Sequence, residues 1–271
     1  MIPEWEQRSY CFMGKPGTMK TLTLSTFRPL DWKEDGSPWA YIFACDRKKH
    51  GGLSVLMPDK IKGIDYDIYV SSDVKKVTSV SRAAKMQEPK ILNKWIEKYE
   101  ELDRLAEEGS FPYSMVALDT ATGFQDLIWD EIFYARRVLD PKASPERKGR
   151  STPAMDEYGD AQWYFISYIK ALTQLPCITI VVCHTKMQED SDGRLRYLPN
   201  LPGRAIIDEF LAMFDEVYYF EQKPGASAVE VRTTGTLSVP ARTSLGFMPS
   251  VVKPDYKEWR KVMSRHFTTQ P

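Results

Sequence analysis

The chain has 271 residues, enough for one large domain or two small ones. Hydrophobic residues make up 42% and charged residues 27%, which excludes a disordered tail, a collagen-like fibre and a coiled coil. Lys plus Arg and Asp plus Glu both total 37. The zero balance excludes nucleic-acid binding driven by overall positive charge but leaves a local basic patch open.

In chain order, residues 8–13 (RSYCFM) form a short apolar run ended by Gly14, which predicts a strand, and 20–27 predicts a helix. A second buried strand is expected at 39–45 (WAYIFAC) and a short third at 67–70. Residues 88–108 place Leu92, Trp95, Ile96, Tyr99, Leu102 and Ala106 at helical spacing, with Gly109 as the stop signal. A strand at 113–118 (YSMVAL) ends in Asp119, and 124–139 reads as a helix. Residues 140–153 are rich in Pro, Ser and charge and read as a mobile loop. A helix at 156–175 precedes 177–183 (CITIVVC), which is β-branched and apolar throughout. Residues 185–202 read as a second polar, mobile loop, and 206–214 as a short helix. Antiparallel strands are expected at 217–221, 228–233 and 236–239, and a terminal helix at 255–265. Apolar strands alternating with helices predict a single α/β domain over 1–271. Its sheet is mostly parallel and sandwiched by helices, with an antiparallel C-terminal edge.

No stretch approaches the ~18 apolar residues of a membrane helix. The first ten residues carry Glu4, Glu6 and Arg8 without an apolar run, so no leader peptide is expected there. Cys11, Cys45, Cys177 and Cys183 lie in apolar runs without a CxxC pair, which predicts buried reduced thiols and a cytoplasmic location. His50, His184 and His266 have no Cys or His partner at zinc spacing.

After the first strand the chain reads Gly14-Lys15-Pro16-Gly17-Thr18-Met19-Lys20-Thr21. The phosphate-loop pattern is G-x-x-x-x-G-K-[ST], in which backbone N–H groups curl around phosphate, Lys reaches the β/γ-phosphates and the hydroxyl meets Mg²⁺. Gly14, Lys20 and Thr21 match; Met19 stands where the second Gly belongs. A plain glycine-containing turn is the alternative. Asp119, closing an apolar strand, is placed to hold Mg²⁺, or else to cap the next helix together with Thr120. Asp46, after the second strand, is the candidate to orient a water. His184 ends the apolar 177–183 run, where a polar group can sense a γ-phosphate; Arg242 is the candidate finger onto a neighbouring subunit's nucleotide.

Taken in order, GKPGTMKT, FACD, VALDTATGF, ITIVVCHTKMQEDSDG, LPNLPGRAIIDEFLAMFDEVYYF and VPARTSLGF resemble the phage-encoded RecA-like NTP-binding proteins of the AAA class, the Sak-type recombination ATPases. The resemblance spans roughly residues 8–260. It implies a RecA-like core, ATP and Mg²⁺ as cofactors, and hydrolysis coupled to single-stranded DNA. It also implies a ring or filament of identical subunits, alongside a phage single-strand DNA-binding protein. DNA contacts would fall on Lys142, Arg147, Lys148 and Arg150 of the first loop, which is clearly basic, and on Lys186, Arg194 and Arg196 of the second, which Glu189, Asp190 and Asp192 offset. Three departures stand out: Met19, Lys48 where relatives carry Glu after Asp46, and Pro240 two residues before Arg242. They keep open a nucleotide-binding scaffold with weak or no hydrolysis. A P-loop kinase acting on a small molecule is a further alternative.

Overall fold

The computed structural model describes residues 3, 6–34, 36–46, 53, 56, 61–70, 89–136, 154–189, 192–201, 203–223, 225–226 and 228–268. Strand β1 (Ser9–Gly14) leads through the glycine loop into α1 (Lys20–Leu24), prolonged by a 3-10 turn over Ser25–Phe27. β2 (Ala40–Ala44) and β3 (Ile64–Ile68) follow, then α2 (Lys90–Glu107), β4 (Met115–Asp119) and α3 (Ala121–Tyr134). The second half comprises α4 (Met155–Thr173), β5 (Ile178–Glu189), β6 (Leu195–Pro199), α5 (Arg204–Ala212), β7 (Glu216–Gln222), β8 (Val229–Arg232), β9 (Val251–Val252) and α6 (Tyr256–Thr268).

The sheet order is β3-β2-β4-β5-β1-β7-β8-β9, with β6 attached to β5 alone. All pairs from β3 to β7 are parallel, and β7-β8-β9 are antiparallel. This is the expected α/β architecture. β1, β2 and β4 are buried along their whole length because helices cover both faces.

The two-residue strand period divides the core into two layers. In β1, Cys11 and Met13 point to a layer built with Phe43, Trp95, Phe124 and Phe165, beneath α2, α3 and α4. Tyr10 and Phe12 point to the opposite layer, where α6 inserts Tyr256, Trp259 and Met263. Those three positions lie on one helical stripe, which is why α6 closes that face. Phe12 meets Trp259 edge-on with ring centroids 5.8 Å apart.

Three sequence expectations change. Residues 185–202, read as a polar loop, are mostly a hairpin: β5 runs past the main sheet to Glu189 and pairs antiparallel with β6. Its polarity reflects an edge hairpin with much of its surface in water, while Thr185, Leu198 and Leu201 are buried beneath it. The strand expected at 236–239 is a tight turn with a single Thr236–Val239 bridge, and β9 supplies the outer edge instead. The helix start at 20–27 breaks into α1 and the 3-10 turn. Residues 140–153 lie outside the described residues.

All four cysteines are free and buried. Burial raises every thiol pKa, that of Cys183 to about 12 even with Lys20 nearby to lower it; Cys11, Cys45 and Cys177 also move up, chiefly through desolvation. At pH 8, below these raised values, the thiols stay protonated and unreactive. The native chain is therefore expected to resist iodoacetamide at pH 8 and to take up four labels once unfolded, as counted by mass spectrometry. Rapid labelling of the native chain would contradict the buried placement.

Candidate active site

Parallel strands deliver their C-terminal ends to one edge, and that edge carries the predicted site. Asp119 stands in register with Val182 of β5, and Gly14 with His184, so β5 lies between the phosphate loop and the acidic strand end. The loop from Pro16 to Thr21, Asp46, Asp119, Thr120, Val182 and His184 line one open cleft. Gly14 and Lys15 form the entry to the loop.

The loop backbone is built around its glycines and Lys20. A Cβ on Gly14 would stand 2.5 Å from the Phe220 carbonyl oxygen, since β7 runs directly alongside. Gly17 turns the chain at φ +83°. Met19 adopts φ 60° and ψ 12°, the left-handed conformation that favours glycine, and its side chain is 39% exposed. The motif's preferred Gly is thus replaced by a residue held in that unfavourable backbone state, at a cost of roughly 1–2 kcal/mol.

Lys20 is buried. Its Nζ donates to the carbonyl oxygens of Gly14 (2.8 Å) and Lys15 (2.7 Å) and to Thr18 Oγ1 (3.1 Å). Thr18 Oγ1 in turn donates to the Lys15 carbonyl at 2.8 Å. The ammonium therefore sits at the centre of the loop, where its positive charge favours phosphate oxygens. Thr21 Oγ1 donates to Asp119 Oδ2 at 2.6 Å, reaching across the end of β5. Asp119 is 1% exposed, so this bond is made in the protein interior, where a hydrogen bond is electrostatically stronger than in water.

The donor set fits Mg²⁺. A carboxylate and a hydroxyl in contact are hard oxygen ligands, and Mg²⁺ is commonly held by one or two such groups together with substrate phosphates. Among the described residues no cluster of three or more His, Cys, Asp or Glu side chains forms an all-protein metal cage.

Thr120 accepts from Gly123 N at 3.1 Å and caps α3, so the capping role falls to Thr120 while Asp119 faces Thr21. Asp46 is half-buried at the cleft wall. The Cys45 N–H donates to the Asp119 carbonyl at 2.6 Å, which ties the two acidic strand ends together. His184 is half-buried, and its carbonyl accepts from Asn200 N at 2.7 Å.

Arg242 lies apart from the cleft lining. Its Nη2 donates to the carbonyls of Leu211 (2.8 Å) and Phe214 (2.7 Å), closing the C-terminal end of α5, and its backbone bridges Val217. Lys186 and Arg194 are exposed on the β5–β6 hairpin and Arg196 is half-buried there. Lys142, Arg147, Lys148 and Arg150 lie outside the described residues, as does Lys48. Sequence reasoning missed the Lys15 ammonium over the Tyr197 ring, 5.0 Å from its centroid, which connects the loop to the hairpin. No sequence signal joins positions 182 residues apart; only the return of β6 past β1 does.

A phosphate loop ending in Lys-Thr, an acidic strand end bonded to that Thr, and a parallel sheet buried on both faces define a P-loop NTPase. Residues 6–245 match the family described as an AAA domain, and the chain belongs to that family. No curated protein matches the chain. Among solved structures, a prototypical ATPase from the type III secretion system of pathogenic bacteria is similar at 11% identity and a TM-score of 0.46. The match covers 80% of this chain and 51% of that one, so this chain spans about half the length of that ATPase. A KaiC-like protein from Pyrococcus horikoshii is similar at 11% identity and a TM-score of 0.39, over 84% of this chain and 78% of that one. Among the described residues no helix is long and apolar enough to cross a membrane.

Met19→Gly should relieve the left-handed strain and stabilise the chain by about 1 kcal/mol. For a chain of this size that raises Tm by roughly 2–4 °C in a thermal melt. An unchanged or lower Tm would show that Met19 is not strained.

Proposed function

We propose that this chain is an ATPase that uses Mg²⁺ and acts on single-stranded DNA. The Thr21–Asp119 bond carries the reading: it joins the hydroxyl and the carboxylate that the chemistry needs on one ion, beside a buried Lys20. When bound, Mg²⁺ supplies Lewis-acid neutralisation of phosphate charge. Thr21 and Asp119 would hold it. Loop residues Gly14 to Thr18 bind and orient the phosphates, and Lys20 adds positive charge to them. Asp46 holds the attacking water and accepts its proton, and His184, on the strand between loop and Asp119, senses the terminal phosphate.

The hairpin continuing from β5 supports single-stranded DNA as the polymer: it carries Lys186, Arg194 and Arg196, offset by Glu189 and Asp192, together with Tyr197 and the exposed Met187 and Leu195. Basic groups neutralise phosphates and flat or apolar groups accept unstacked bases, without sequence preference. The resemblance to phage recombination ATPases supports the same polymer, a ring or filament of subunits with Arg242 at their contact, and a phage single-strand DNA-binding protein as companion. Met19 in place of the motif's Gly and Lys48 in place of the Glu after Asp46 keep a nucleotide-binding scaffold with weak or no hydrolysis as the second reading.

The test is ATP binding and turnover, with and without oligo-dT, on wild type and Lys20→Ala. The expected outcome is turnover raised by oligo-dT and lost in Lys20→Ala. Tight binding without turnover selects the scaffold, and absence of nucleotide binding ends both readings. Arg194→Glu combined with Arg196→Glu is expected to weaken oligo-dT affinity by about tenfold or more at low salt and to flatten its salt dependence. Unchanged affinity would remove the hairpin from the DNA surface.

A further inference from the structure

Gly123 is the third residue of α3, a position where glycine costs up to about 1 kcal/mol relative to alanine. Its φ lies outside the left-handed region, so backbone conformation does not call for glycine here. Space does. A Cβ on Gly123 would stand 1.4 Å from the Cys45 carbonyl oxygen, 2.5 Å from the Cys45 carbonyl carbon and 3.3 Å from Asp46 N. The first turn of α3 therefore presses directly on the peptide that joins Cys45 to Asp46. Two further bonds hold this contact: Thr120 Oγ1 accepts from Gly123 N, and the Cys45 N–H donates to the Asp119 carbonyl. Cys45 itself is 1% exposed, so its peptide has little room to retreat.

We infer that Gly123 is a positioning residue: by lacking a side chain it lets the Cys45–Asp46 peptide seat against α3 and so sets where Asp46 stands beside Asp119 at the cleft wall. The inference rests on the reading of Asp46 as the group that holds the attacking water. The phosphate loop follows β1, beyond β5, and meets this contact only through the Thr21–Asp119 side-chain bond. A methyl group at position 123 cannot coexist with the Cys45 carbonyl at 1.4 Å, so the first turn of α3 and the Cys45–Asp46 peptide must move apart, which changes where Asp46 stands relative to Asp119. The loop that binds phosphate stays in place.

The experiment is Gly123→Ala, alone and combined with Asp46→Asn. The single variant is expected to keep nucleotide affinity within about threefold of wild type and to lose turnover by about 100-fold, the scale of a 1 Å misplacement. In the Asp46→Asn background the same change should cost less than about twofold, because residues acting as a unit are not additive. Turnover equal to wild type in Gly123→Ala, or an equal loss in both backgrounds, would overturn the inference. Should Gly123→Ala fail to fold, Thr120→Val, which removes the hydroxyl holding Gly123, should show a smaller loss that likewise vanishes in Asp46→Asn. Its persistence there overturns the inference too. Should wild type bind nucleotide without turning it over, the functional reading fails separately. A crystal structure of whichever variant folds then decides the positioning: Asp46 displaced with the 14–21 loop unmoved supports it, and Asp46 unmoved overturns it.

Discussion

Everything at the cleft depends on one hydrogen bond, from the Thr21 hydroxyl to the Asp119 carboxylate. The two residues are 98 positions apart: Thr21 lies in α1, which follows β1, Asp119 ends β4, and β5 separates those two strands. They meet because β1 and β4 deliver their C-terminal ends to the same edge and because the loop after β1 leads α1 across β5 where that strand leaves the main sheet. The sheet can be parallel only with helices on both faces, and the two aromatic layers supply that cover. Core packing and site chemistry are thus one constraint: loss of either layer would separate the loop from the acid.

Around that bond the chain carries departures from local ease. Met19 occupies a left-handed backbone position, and Gly123 sits inside a helix. Each looks unfavourable by propensity, and each belongs to the turn leaving a strand at the cleft. Gly123 is explained by the close approach of Cys45. Met19 has no comparable contact to explain its side chain; what the structure does account for is the glycine preference of the motif at that place. Strain gathered at such turns agrees with the general behaviour of functional edges.

The β5–β6 hairpin adds a second level. β5 is one continuous strand whose first half lies in the main sheet beside the phosphate loop and whose second half forms the hairpin. Tyr197 lies under the Lys15 ammonium, stacks on the Tyr219 ring at 6.0 Å and donates its backbone N–H to the Ser238 carbonyl. The basic groups read from sequence as a loose loop are consequently carried on a paired element attached to the cleft. The zero net charge excluded binding by total charge, and the hairpin segment repeats that balance, with Lys186, Arg194 and Arg196 set against Glu189, Asp190 and Asp192.

Most strands and helices were legible because their signals are local. β1, β2, β4 and the first half of β5 are apolar runs of strand length, and α2 and α6 repeat their buried residues at helical spacing. The hairpin was not legible, because an edge strand facing water has the composition of a loop, and the 236–239 segment was overread for the reverse reason, a β-branched stretch bent into a turn. By itself the sequence determined the phosphate-loop residues, the acidic strand ends and the alternation of strand and helix, since each depends on neighbours along the chain. Only the tertiary structure decided that Asp119 faces Thr21, that Thr120 caps the helix, that Arg242 closes α5 and that Gly123 bears on Cys45. Those pairings follow from strand order and helix approach, which bring together positions that no spacing along the chain relates.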